Sequence, residues 1–348
     1  MTKPGPYLKQ NLPGIYYFLV SLINGIRRIG RPYSIYITDS LGGSFKSYFI
    51  SSDMTGKISC LKRDLDRESA ETIDIIVQRF LHYPDERYKH RISKRSAVRG
   101  GILPVESAQN RNEVVESLKI SRRKFNSLSK HIEESVFYYY HGLSLLPASV
   151  AEYIKDHDFI DAGAFIGDSA IALSEYNYRK IYSIEISLKS IEKYKANMAK
   201  NKIPSPRFEL INVCISSVNH EAPVILADTG SSGLSLLRNS GKYDKISVEQ
   251  KSIDTIVEEH GISPRFIKVD IEGNALEFVK GATKTLTKFR PVLSIAIYHN
   301  PFEFFEVKPF LENILSDYIF MIRKLSTGVR NNLCHSEVVL IGYPKEII

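Results

Sequence analysis

From Pro147 onward the chain alternates short apolar runs with longer amphipathic stretches, and this alternation limits the fold more than any other feature. Residues 159–161, 180–185, 207–214, 264–270 and 291–298 read as strands, while 167–176, 190–200, 274–286 and 301–315 read as helices. A strand that returns parallel to its neighbour needs a dozen or more residues, usually a helix. Repeated strand–helix units therefore predict a parallel sheet covered by helices on both faces. The tail breaks the pattern, because 318–325 and 337–343 are two strands with only a loop between them, which allows an antiparallel hairpin.

The chain before Pro147 has a different texture. Residues 1–60 are rich in Gly, Ser and Tyr with weak periodicity. In 67–81, Ile73, Ile76, Val77, Phe80 and Leu81 recur at three and four, which predicts a helix that Pro84 closes. Residues 105–138 also read as helix, with Val114, Val115, Leu118, Ile120, Phe125 and Leu128 among charges. Residues 1–145 hold 23 Lys and Arg against 14 Asp and Glu, and the remainder holds 24 against 25. That contrast suggests two parts: 1–145, a basic and mainly helical region, and 146–348, a ligand-binding domain. The basic part is expected to meet an anionic partner (a phosphate-bearing glycan, nucleic acid or acidic membrane) or to serve as an oligomer surface. Its densest stretches are Lys89-His90-Arg91-Ile92-Ser93-Lys94-Arg95 with Arg99, and Arg122-Arg123-Lys124. Each is either a docking surface or a solvated face, and the sparse aromatic interleaving weighs against RNA.

The longest apolar run, 15–26, is shorter than the ~20 residues that span a bilayer and lacks a small-residue cleavage site. Cys60, Cys214 and Cys334 form no close pair. The expectation is a reduced, cytoplasmic protein with isolated thiols and no transmembrane segment.

The first strand–helix junction reads Phe159-Ile160-Asp161-Ala162-Gly163-Ala164-Phe165-Ile166-Gly167-Asp168-Ser169. Gly163 lets a ligand approach the backbone closely, and Gly167 lets the helix begin tight against the sheet. The next strand ends Ile181-Tyr182-Ser183-Ile184-Glu185, with Glu185 24 residues after Asp161. A carboxylate there is placed to accept both hydroxyls of a ribose. A dinucleotide loop needs G-x-G-x-x-G to meet two phosphates, whereas this loop has Gly163 and Gly167 only, with Asp161 two positions before the first. An acid there suits the ammonium of a methionine moiety, which favours S-adenosylmethionine over NAD.

These residues resemble the FkbM family of methyltransferases. The resemblance rests on the 159–169 junction, on Tyr182-Ser183-Ile184-Glu185, on Ile267-Lys268-Val269-Asp270-Ile271-Glu272-Gly273, on Gly281-Ala282, and on Ser294-Ile295-Ala296-Ile297-Tyr298-His299. It covers roughly 135–345. It implies an α/β fold, the seven-stranded Rossmann-like sheet of class I methyltransferases with a C-terminal antiparallel hairpin, and O-methylation of sugar, glycan or metabolite hydroxyls. It also implies S-adenosylmethionine bound by Asp161, Gly163, Ala164, Phe165, Gly167, Asp168, Ser169, Glu185, Ile186, Cys214 and Asp270. Many relatives carry Asn where this chain has Phe165 and Pro where it has Ile186.

A sugar hydroxyl is a weak nucleophile, so a general base is expected at the strand ends. Asp270 and Glu272 are two apart at the end of the fourth strand, which would point both carboxylates to one side. They would hold a proton, a substrate hydroxyl or a hard divalent ion; otherwise Asp270 caps the next helix and Glu272 faces solvent. His299 ends the fifth strand and is a natural base near neutral pH. Equally, it belongs to the helix start that Asn300-Pro301-Phe302-Glu303 signals. Ser231-Ser232-Gly233 lines the substrate mouth or is an ordinary polar loop, and His131 and His141-Gly142 close over the site or pack. Two other readings stand beside O-methylation. One is methylation of protein or RNA, with the basic region as docking surface. The other is a non-catalytic cofactor-binding scaffold, against which the Asp270, Glu272 and His299 group argues.

Overall fold

The computed structural model describes residues 35–37, 40–81, 90–92, 103–125, 128, 132–228, 244–327 and 336–348. The 15–26 run, Lys89, the basic residues 94, 95 and 99, His131, Ser231-Ser232-Gly233 and Cys334 lie outside them.

The chain opens with β1 (Ile35–Ile37), α1 (Ser40–Ser51), α2 (Met54–Lys62), α3 (Arg67–Leu81) and β2 (His90–Ile92). Then come α4 (Ala108–Lys124), α5 (Glu134–Phe137) and α6 (Ala148–Ile154). The alternating part follows as β3 (Asp158–Ala162), α7 (Asp168–Leu173), β4 (Lys180–Ile184), α8 (Leu188–Lys200) and β5 (Phe208–Ile211). An insertion carries β6 (Cys214–Ile215), β7 (Val224–Asp228), β8 (Asp244–Val248) and β9 (Gln250–Lys251). The rest is α9 (Ile253–His260), β10 (Pro264–Val269), α10 (Ala275–Gly281), α11 (Thr283–Phe289), β11 (Val292–Ala296), α12 (Pro301–Ile314), β12 (Tyr318–Lys324) and β13 (Val338–Pro344).

Seven strands form one sheet in the order β12-β13-β11-β10-β3-β4-β5. Only β13 runs against its neighbours, antiparallel to both β11 and β12, so the tail hairpin predicted from sequence is present. Alternate residues of each strand feed opposite faces, as the pleat requires. Ile160, Ile267 and Leu293 join one apolar layer with α9 to α12. Phe159, Phe266 and Val292 join the other with α4 to α8. Burial on both faces explains why these strands read as continuous apolar runs.

The N-terminal helices are part of the first layer: Phe45, Leu61, Ile73, Ile76 and Phe80 pack in the same cluster as Ile322 and Leu340 of the sheet. Helix α3 covers the open edge of β12. Ile322 N–H donates to Ser69 Oγ (2.8 Å), and Arg323 pairs with Asp66 (2.5 Å). Burial opposes the Asp66 charge, but hydrogen bonds from Arg323 and Ser69 outweigh it and hold the carboxyl down at about 2. Covering an edge strand removes a template for pairing with another chain.

Several boundaries differ from the sequence reading. The 105–138 helix is two helices: α4 ends at Phe125, whose N–H donates to Ser121 O, and α5 starts only at Glu134. Residues 274–286 are likewise two, broken at Ala282, beside Gly281, whose backbone runs so close to Ser216 O that a Cβ would lie 2.5 Å from it. The third strand ends at Ile211, and Cys214 pairs with Gln250 outside the main sheet. The 1–60 region contains α1 and α2, whose mixed compositions hide their apolar faces.

Candidate active site

Strand order reverses between β3 and β10, since successive units build outward from β3 to β5 on one side and from β10 to β11 on the other. Ligands of open α/β sheets bind outside the carboxyl ends of the strands at such a point. A cleft of about 960 Å³ opens there, within the range of small-molecule sites.

The glycine loop forms its floor. Gly163 has φ +83°, and a Cβ on it would lie 1.8 Å from Asp270 O, so only glycine fits between the ends of β3 and β10. Gly167, at φ +84°, lies against the Tyr194 ring and starts α7. Phe165 adopts φ +45°. Its N–H donates to Glu185 Oε2 (2.8 Å), and Ser187 N–H donates to Glu185 Oε1 (2.8 Å). Glu185 is thereby aimed by two amides while its remaining lone pairs face the cleft it lines. Burial raises its pKa despite these bonds.

Asp161 lies elsewhere than an ammonium-binding acid would. It is fully buried and absent from the cleft wall, and Lys268 Nζ stands 2.9 Å from its Oδ1. Lys268 also donates to Gly163 O (2.7 Å). Burial works against the Lys268 charge, but the Asp161 and Asp270 carboxylates outweigh it and raise its pKa. Asp161 thus acts on the loop through Lys268. Asp168 and Ser169 do line the cleft. Burial, with Lys268 opposing, raises the Asp168 carboxyl to about 6.

Beyond β4 the cleft becomes apolar. Ile186, Cys214, Val224 and Leu226 line it there, and Leu226 packs with Ile246 and Val248 of the inserted hairpin β7–β8. Nothing in the alternation of strands and helices announced this hairpin.

The opposite end is acidic. Asp270 and Glu272 follow β10 rather than ending it, and Glu272 takes φ +54°. Strand alternation therefore does not bring them together; the turn does. Both line the cleft. His299 Nε2 lies 3.4 Å from Asp270 Oδ1 and 3.6 Å from Glu272 Oε2, and Nδ1 lies 3.4 Å from Glu303 Oε2. His299 follows β11 by three residues and is nearly buried, stacked on Tyr298. Burial disfavours its charge, but the Glu303, Asp270 and Glu272 carboxylates prevail and raise it to about 9. Burial raises Glu272 to about 7, with His299 pulling the other way. Asn300 caps α12 as predicted, accepting from Glu303 N–H (2.9 Å). His299 therefore joins both the cap region and the carboxylates. Asn300 and Glu303 reach back to Gly273 O and Ala275 N–H respectively.

Sequence reasoning missed two further groups in the wall. Glu337 precedes β13 and accepts from Tyr298 Oη (3.3 Å). The 132–136 segment, read from sequence only as part of a helix, also lines the cleft. Among the described residues no group of three or more His, Cys, Asp or Glu has the arrangement of a metal site. No helix among those residues is long and apolar enough to cross a membrane.

Residues 161–326 match the methyltransferase FkbM domain. The fold is similar to that of a methyltransferase FkbM from Methylobacillus flagellatus KT, with 16% identity and a TM-score of 0.52 over 83% of this chain. The chain spans 58% of the length of that structure. Weaker likenesses are to the O-methyltransferase TomG of Streptomyces achromogenes (12% identity, TM-score 0.37, 67% of this chain and 89% of that one). Another is to an O-methyltransferase from Bacillus cereus (10% identity, TM-score 0.38, 67% and 91%). No curated protein matches the chain.

Proposed function

We propose, from the match of residues 161–326 to the methyltransferase FkbM domain, that the chain methylates a hydroxyl of a sugar, glycan or related metabolite with S-adenosylmethionine as donor. The observation that carries this reading is a single cleft joining three environments in the order such a donor needs. An apolar slot at Ile186, Cys214 and Leu226 suits a purine, the fixed Glu185 carboxylate suits a ribose, and Asp270 and Glu272 stand at the far end.

The cofactor, when bound, supplies an electrophilic methyl group on a sulfonium, and the protein's task is alignment and proton removal. Asp161 and Lys268 hold the loop, and the Phe165 and Ser187 amides aim Glu185. The acceptor's proton goes to Glu272, which lines the cleft and sits near 7, a value suited to a base at neutral pH. His299 lies behind it, charged at neutral pH, and holds Asp270 and Glu272 in place. This arrangement supports the carboxylate as base in place of the imidazole. The basic N-terminal region is proposed to dock an anionic part of the acceptor or another copy of the chain. Within its described part, many cations are committed to acids, as in Arg79–Glu106 and Lys124–Glu175.

Labelled S-adenosylmethionine incubated with cell-derived glycan, RNA and protein fractions tests the reading. Label in a base-stable ether of the glycan or metabolite fraction is expected. Label confined to RNA or protein would transfer the activity to those acceptors, and binding without transfer to any fraction would leave a scaffold.

A further inference from the structure

His141 is the buried group that the mechanism leaves without a task. It sits at φ +55°, next to Tyr140 at φ +47°, two successive residues in the left-handed region that few non-glycine residues adopt, although histidine does so more readily than most. Such strain persists only where the surroundings enforce it, and it concentrates at functional sites. Here the enforcement is visible. Ser294 of β11 donates its hydroxyl to His141 O (2.6 Å). Seven residues earlier in the chain, on the same wall, Glu134 accepts from the N–H (2.5 Å) and hydroxyl (2.7 Å) of Thr327, just beyond β12. Segment 132–141 is thus fastened to β11 and to the stretch just beyond β12, and its residues 132–136 and 141 line the cleft. It lies wholly before residue 161, where the family domain begins.

The imidazole itself is nearly buried, lines the cleft, and places Nε2 2.9 Å from Ser169 Oγ in the first turn of α7. Burial, reinforced by the Lys268 charge, lowers its pKa well below the ordinary histidine value, so the ring is neutral. A neutral ring nitrogen either accepts or donates, and in both cases it fixes a serine hydroxyl that would otherwise rotate. The direction of that hydroxyl matters because of the strand order. With a purine in the slot beyond β4 and a ribose on Glu185, the remaining end of the ligand extends toward β3 and β10. There Asp168, Ser169, His141 and Lys268 line the cleft.

We propose that His141 is a positioning residue that orients the Ser169 hydroxyl toward the amino-acid end of bound S-adenosylmethionine, so that chain preceding the family domain completes the cofactor site. This rests on the cofactor assignment made above. The test is calorimetric titration of S-adenosylhomocysteine into wild type, His141→Asn, Ser169→Ala and the double variant. Asparagine tolerates the left-handed backbone but is too short to reach Ser169. Each single variant should bind about 10-fold more weakly, and the double variant no more weakly than either, as for two partners in one interaction. The thermal midpoint of His141→Asn should stay near that of wild type. Unchanged affinity in His141→Asn, or losses that multiply in the double variant, would overturn the proposal and leave the cofactor assignment standing. Failure of wild type to bind would overturn both. Should His141→Asn not fold, Ser169→Ala decides. A loss of about 10-fold, with a shifted His141 Nε2 resonance in ¹⁵N spectra, upholds the proposal; unchanged affinity sinks it.

Discussion

The two ends of the cleft are built on opposite principles. Around the glycine loop, charges are matched locally: Lys268 stands on Asp161, and Glu185 is held by two backbone amides. Around His299, one imidazolium faces Asp270, Glu272 and Glu303, and the Glu272 and His299 pKa values are both displaced upward. The first arrangement gives Asp161 and Glu185 each a dedicated partner. The second sets three carboxylates against one imidazolium, and a group in that position takes up a proton readily.

If the comparison is right, substitutions at the two ends separate turnover from binding. The largest effect is expected at the acidic end. Glu272→Gln should lower turnover by roughly 10²–10⁴-fold with cofactor affinity unchanged. Steady-state rates beside calorimetry check this, and equal loss of both quantities would erase the distinction between the ends. At the loop end, Glu185→Ala should weaken cofactor binding by about 3 kcal/mol, the scale of two hydrogen bonds to a charged acceptor. A variant that instead bound normally and turned over slowly would reverse the assignment.

A smaller effect is expected on stability. Glu272 is raised from 4.5 to about 7 and His299 from 6.5 to about 9. A group raised on folding contributes stability that is complete below its unfolded pKa and is lost as pH rises through its folded one. The melting temperature should therefore decline from about pH 4.5 to 9. His299→Gln should flatten the part between 6.5 and 9, and a profile unaltered by it would show that the histidine is not held charged. Least of all should change when Arg122 and Arg123 are reversed to Glu. Stability should move by less than about 0.5 kcal/mol and cofactor affinity not at all, while binding to an anionic surface weakens. Loss of cofactor binding would tie Arg122 and Arg123 to the cleft.

Much of this was legible in the chain itself. The alternation after Pro147 specified the parallel sheet, because burial on both faces demands continuous apolar strands, and the helix-free link before the last strand allowed the reversed hairpin that forms. The positions of Gly163, Gly167 and Glu185 pointed to the loop end, since their roles depend on backbone geometry within one strand–helix–strand unit. Helix α3 was readable from its stripe at the same level, and it spans 67–81 as the periodicity requires.

What the sequence could not carry were relations between groups far apart in the chain. Asp161 looks like a ligand contact until Lys268, 107 positions away, is seen to take its charge. His299 looks like a base until Asp270, Glu272 and Glu303 surround it. His141 gains a partner only when the chain before β3 folds back onto α7. A pKa is set by burial and by neighbours in space, and neither is written in the local order of residues. Local patterning determined which elements form and where the loop lies. The tertiary structure alone decided which side chains face the cleft and which of them carry a proton.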